Sequence, residues 1–298
     1  MNQPAPPPTP GMAPPAMDMP TTFAGLLQAR TGVVIGPPAP TAAAPPPRVD
    51  QAALSDTDKQ RFIDAVDALN LPDQTGISAF GRLAAIHADM TAHRMHAMGG
   101  DPATDPGQQR FLPWHRVYLF EFEQLLQTVH PEITIPYWDW TNPDEQAVPD
   151  WLVGVRPTVN IPRPGPGRVT VTRFPGTQGF DLAAVISGNV DPALPALADV
   201  EQTADFTTFA SGLESIHDLV HVWVGGQRGT MSFLDRAPAD PLFWMHHANI
   251  DRLWWQWHNS AQGQGQIPNL QGADAIMDPW AFTETDTRDI AAFHYTYA

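Results

Sequence analysis

Residues 213–226 read LESIHDLVHVWVGG, and residues 240–254 read DPLFWMHHANIDRLW. Two histidines four apart on an α-helix share one face, one turn above the other, so His217 and His221 can grip a single metal ion. Glu214, three positions before His217, puts a carboxylate on the same face, and Gly225-Gly226 supplies a stop for a helix expected over 210–224. Asp240-Pro241 is a helix start, with the acid favoured at the positive end of the macrodipole, and a second helix is expected over 243–258. Adjacent side chains on a helix point about 100° apart, so normally only one of His246 and His247 can join the same ion. Asp251, four residues after His247, can orient a metal-bound imidazole or pair with a neighbouring cation. His217, His221 and one of the adjacent pair therefore complete one set of three imidazoles.

A second group lies upstream: His87, His93, His96 and His115. His115 follows Pro113, the expected first residue of a helix over 114–128, and His87 lies on the apolar face of a helix expected from Ser78. An unbroken helix would turn His93 by about 240° and His96 by about 180° from His87, so neither could converge with it. The chain must break first. His96 stands beside Met98-Gly99-Gly100-Asp101-Pro102, where a break is expected, and is the preferred third ligand, with His93 the substitute. The chain has no cysteine, so a metal must be held by His, Asp or Glu, and two all-imidazole sets favour copper or zinc. Two copper ions facing each other can share one O2.

Outward from these stretches the pattern stays helical. Ser55 with Asp58 resembles a capping box, followed by Phe62, Val66 and Leu69 at helical spacing. The Pro/Gly-rich run from Thr141 to Gly179 holds one short strand candidate, Arg168–Phe174, and a helix is expected near Asp286–Phe293. The fold class is mainly α: a helical bundle with long Pro/Gly-rich loops and minor β structure. Residues 1–50 hold 14 of the 33 prolines and read as an extended or disordered arm, leaving 51–298 as the catalytic domain. The net charge of −16 argues against nucleic acid and anionic membrane as partners. No apolar run approaches the roughly 20 residues of a membrane span. No secretory signal is visible at the N-terminus, so a cytoplasmic location is the default expectation, with export alongside a partner protein left open.

Taken together, the sequence resembles the type-3 dicopper proteins: tyrosinases, catechol oxidases and haemocyanins. The likeness runs from about His87 to Tyr297 and rests on Phe111-Leu112-Pro113-Trp114-His115-Arg116, on Pro136-Tyr137-Trp138-Asp139-Trp140 and on the two stretches quoted first. It implies two copper ions, with O2 as co-substrate: His87, His96 (or His93) and His115 would hold the first, and His217, His221 and His247 the second. His246 would then stand behind the site. Tyr295-Thr296-Tyr297 looks like the tyrosine motif that closes the family's catalytic domain, which implies that a C-terminal lid domain is absent. Without cysteine no Cys–His thioether can form, so the chain is closer to the bacterial tyrosinases.

Two positions depart from that pattern. Where many bacterial relatives carry the second ligand of the first site, nine residues before the Trp-His-Arg motif, this chain has Pro106. Where an Asn commonly follows the first ligand of the second site, this chain has Asp218, with Glu214 the candidate partner for holding a water that deprotonates a phenol. The expected activity is oxidation of o-diphenols to o-quinones by O2, with some o-hydroxylation of monophenols, on a small phenolic substrate and with a copper-delivery partner. Val222 and Leu234 are candidates for shaping the pocket. The alternatives are a haemocyanin-like O2 carrier and a zinc metallohydrolase built on His217 and His221, since the HDxxH pattern imitates the zinc-protease signature. A helical binding module gives no reason for imidazoles at these spacings.

Overall fold

The computed structural model describes residues 47–298. Nine α-helices occur among them: α1 Asp56–Leu69, α2 Ala79–Ala88, α3 Met90–His93, α4 Pro106–Val129, α5 Asp150–Val153, α6 Leu182–Ile186, α7 Leu197–Glu201, α8 Phe206–Gly225 and α9 Pro241–His258. The mainly helical bundle with little sheet is as expected. Local chemistry sets the starts. Ser55 caps α1 through the Asp58 amide, Ser78 caps α2 through that of Gly81, and Asp240 caps α9 through that of Leu242.

The long helix α4 departs from expectation. It begins at Pro106, capped by Asp105, and Pro113 lies inside it. A proline fits the first turn without loss but deprives an interior carbonyl of its donor; the helix starts at Pro106, which has an acidic cap before it, and not at Pro113, the expected first residue. Eighteen of its residues are buried, because α4 runs through the centre of the bundle with α1, α8 and α9 against it. Phe122 stacks on Trp244 at 4.0 Å and Phe209 on Trp257 at 4.0 Å, tying α4 to α9 and α8 to α9.

The expected strand over 168–174 is shorter, β2 Gly167–Thr170, and pairs antiparallel with β1 Thr158–Ile161, a strand not expected from the Pro/Gly-rich sequence around it. Beyond Thr170 the backbone turns to the end of α8: Phe174 N–H donates to the Val224 carbonyl, and Thr230 N–H to that of Thr172. The single helix expected near 286–293 is two 3-10 turns, Glu284–Arg288 and Ile290–Phe293, with Asp289 between them capping the second.

The Pro-rich arm lies outside the described residues except at its end, which the fold incorporates. Arg48 is fully buried, bonds Glu123 at 2.9 Å and approaches Asp251 at 3.4 Å. The folded body thus includes residues 48–50, earlier than the boundary drawn at 51. Asp251 also meets Arg116 at 2.6 Å and accepts from the Tyr295 and Tyr297 hydroxyls, each at 2.5 Å. Asp139 pairs with Arg252 at 2.8 Å. The N-terminal strap, α4, α9 and the C-terminal tail therefore meet at one buried charge cluster behind the site.

Candidate metal centre

Helices α2 and α4 bring His87 and His115 together, and the loop after α3 delivers His96. The Nε2 atom of His87 lies 3.2 Å from that of His96 and 3.4 Å from that of His115. Across the cavity, α8 presents His217 and His221 and α9 presents His247, whose Nε2 lies 3.1 Å and 3.3 Å from theirs. In each triad the ligand atoms lie within 4.8 Å of one another, and all six residues are buried. The triads face each other, with the His115 and His247 rings stacked at 4.4 Å.

The hydrogen bonds on the other ring nitrogens decide the chemistry of this donor set. His87 Nδ1 faces the Leu234 carbonyl, His115 Nδ1 that of Phe111 and His221 Nδ1 that of Met231, each at 2.8 Å. His96 Nδ1 faces Glu214 at 3.2 Å and His217 Nδ1 faces Asp218 at 3.1 Å. Acceptors at Nδ1 fix the proton there, so Nε2 is left as a bare lone pair on these five rings. Lone pairs at such separations repel unless a cation lies among them. A metal–nitrogen bond of about 2.0 Å opened to about 100–120° spans roughly 3.1–3.5 Å between ligand atoms, which matches both triads. Burial, with the neighbouring imidazoles adding to it, holds the pKa of His87, His115, His217, His221 and His247 well below the ordinary value, so these rings stay neutral and able to ligate. His247 Nδ1 has no hydrogen-bond partner among the described residues.

Two phenyl rings wall the centre. Phe111 lies 5.0 Å from the His115 ring and 4.9 Å from that of His217, while Phe243 lies 5.2 Å from His87 and 4.1 Å from His247. Each ring touches both triads and offers no competing ligand. Sequence reading quoted both residues within their motifs without assigning this task. The loop after α8 orients one ligand of each triad through its carbonyls, which no sequence signal marks: Met231 is not singled out by sequence, and Leu234, expected to shape the pocket, presents its carbonyl to His87.

The structure sorts the remaining candidates. His93, the substitute ligand, turns away and bonds Asp278 at 2.5 Å. His246 sits behind the second triad, stacked on His217 at 5.1 Å, its Nδ1 accepting from Trp140 Nε1. Asp251 does not orient His247: one helical turn away, it is drawn to the guanidinium groups of Arg116 and Arg48. Glu214 has a different task from the water-holding one expected. Its Oε1 accepts from His96 Nδ1 and the Ala97 amide, and its Oε2 from Gln108 Nε2 at 2.8 Å, so both oxygens are engaged. Burial raises the Glu214 pKa even though the bond from His96 lowers it. Asp218 has one oxygen without a partner among the described residues, and 63% of its side chain is exposed.

A family model described as the common central domain of tyrosinase matches residues 77–260. A tyrosinase of Streptomyces glaucescens is 33% identical over 84% of this chain and 98% of its own length. Among solved structures, a Burkholderia thailandensis tyrosinase superposes with a TM-score of 0.62 at 18% identity, covering 86% of this chain and 74% of that one. A functional unit of octopus hemocyanin gives a TM-score of 0.62 at 22% identity, over 85% of this chain and 68% of that one.

Proposed function

The protein belongs to the tyrosinase family, and from that premise we propose that it oxidises o-diphenols to o-quinones with O2, hydroxylating some monophenols on the way. The observation that carries this reading is the pair of facing triads, six imidazoles with Nε2 turned inward. His87, His96 and His115 hold one copper ion, and His217, His221 and His247 the other. The copper pair, when bound, supplies the redox chemistry with O2. Each diphenol gives up two electrons and two protons and O2 takes four of each, so one O2 yields two quinones and two waters.

The chain's own residues bind, orient and move protons. The Nδ1 acceptors hold five of the six rings in one orientation, so little reorganisation is needed when a substrate arrives. Phe111 and Phe243 keep the floor of the centre apolar. Asp218 takes the phenolic proton: its side chain is exposed and only one of its oxygens is engaged, by His217, whereas both oxygens of Glu214 are occupied. Glu214 supports His96 instead. A small phenol and a copper-delivery partner are the interactions this reading requires.

Metal analysis with an activity assay tests it. Reconstituted protein is expected to hold two coppers per chain and to turn catechol into quinone. One zinc per chain with no quinone would favour the hydrolase reading, and two coppers with reversible O2 uptake but no turnover would favour a carrier. Asp218→Asn is expected to slow monophenol hydroxylation more than diphenol oxidation, because diphenols lose their protons more readily; equal slowing would move the base elsewhere.

A further inference from the structure

His93, the last residue of α3, and His96, in the loop after it, lie three positions apart, and only His96 reaches the first triad. What separates them is a segment far along the chain, beyond the region the family model matches. Asp278 accepts from His93 Nδ1 through Oδ2 and from Arg110 through Oδ1, each at 2.5 Å. Asp274 of the same segment pairs with Arg94. The segment is itself fastened to α4: Arg110 Nη1 donates to the carbonyls of Asp274 at 2.8 Å and Ile276 at 2.6 Å, and Trp114 Nε1 donates to that of Asp278 at 2.7 Å. Trp280 packs on Trp114 at 5.3 Å. Arg110 is buried, so the anchor is fixed on the helix that also carries His115.

The loop needs such an anchor. Arg94 closes α3 in the left-handed region at φ 45°, which a non-glycine residue holds only when its surroundings over-determine it. That turn reverses the chain and sends Met95 into the core and His96 toward His87. Both residues at the turn, His93 and Arg94, are held by carboxylates from 274–278.

We propose that residues 274–280 form a clip that shapes the first metal site before metal arrives, with Asp278 and Asp274 acting as positioning residues for His96. The clip takes His93 out of contention as a ligand and holds the strained turn that delivers His96. This rests on the copper assignment made above. Its test is copper affinity: Cu(I) is titrated into the full chain against a chromogenic chelator, with melting of the metal-free protein measured alongside.

In a His217→Ala background the copper left over belongs to the first triad. Adding Asp278→Ala there is expected to weaken that copper by about 10-fold, the low end of the range for groups that touch a ligand directly, because Asp278 acts on His96 through His93. In the otherwise native chain, Asp278→Ala should weaken one copper and leave the other at its native affinity. Asp278→Asn, which keeps an acceptor oxygen, should recover part of the loss, and His93→Gln provides a second variant should Asp278→Ala fail to fold. Unchanged affinity of the first copper would overturn the clip. So would equal weakening of both coppers together with a lower melting temperature, which would mark Asp278 as ordinary packing. Native protein that binds two coppers yet leaves catechol untouched would sink the oxidase reading and leave the clip standing.

Discussion

At the scale of single residues, five of the six ligand imidazoles have the back nitrogen fixed and the front one bare, and removing any ligand should be felt at its own metal first. His217→Ala and His221→Ala should each lower copper from two per chain to about one and bring catechol oxidation to background, because two imidazoles hold copper poorly and one copper cannot share O2 as a pair. Full activity in either variant would contradict the ligand assignment. His96→Ala should cost the first copper more than His93→Ala, since it deletes a donor where the other loosens the turn that delivers it; elemental analysis of both variants gives the order. Residue types and spacings made much of this legible. The HDLVH and Trp-His-Arg stretches alone carry three of the six ligands. The choice between His93 and His96 was open to a break argument but not its cause, because Asp278 is 185 positions from His93 along the chain.

Among the elements, α4 does the most. It carries His115, backs His96 and seats the C-terminal segment. Gly107, in its first turn, lies against the chain at His96: a Cβ there would come within 1.9 Å of the His96 carbonyl oxygen, so the loop can approach only a residue without a side chain. Gly107→Ala should displace His96, destabilise the fold by about 1–3 kcal/mol as an overpacking change and halve the copper content. Thermal unfolding and metal analysis check both, and native copper content would show that the contact does not set the ligand. Helix type and order were readable because apolar periodicity and caps are local. The start of α4 was not: Pro106 and Pro113 carry the same local signal, and burial against three other helices, a tertiary effect, sustains the proline inside. The short strand β1 was missed because it gains its partner only through β2.

Over the whole molecule, a buried ionic cluster closes the fold behind the metal centre. Arg48, Glu123, Arg116, Asp251, Tyr295 and Tyr297 join the first described residues to the last. Asp251→Ala would leave two buried guanidinium groups short of a counter-charge, a loss of about 3–5 kcal/mol. At about 2–4 °C per kcal/mol for a domain of this size, melting should fall by roughly 6–20 °C. A shift under a degree or two would mean that the cluster contributes little. Acid should act on the metal-free protein in two stages. The ligand imidazoles have folded pKa values below the unfolded value of about 6.5, so the unfolded chain binds more protons, and stability falls as pH drops below about that value. Burial opposes ionisation of Asp251, yet Arg116 and Arg48 hold its pKa below the ordinary range; its contribution is present above about pH 4 and is lost as pH falls through the lowered value. Melting curves across pH follow both stages, and stability that rose on acidification from neutrality would contradict the first.

The central claim is that two triads act as one centre on one O2. Oxygen consumption and quinone formation, recorded together on protein loaded with two coppers and supplied with catechol, test it most directly. One O2 should be consumed for every two quinones, with no turnover when either triad is left empty. Two bound coppers with no catechol oxidation, or undiminished turnover with a single copper, would contradict it.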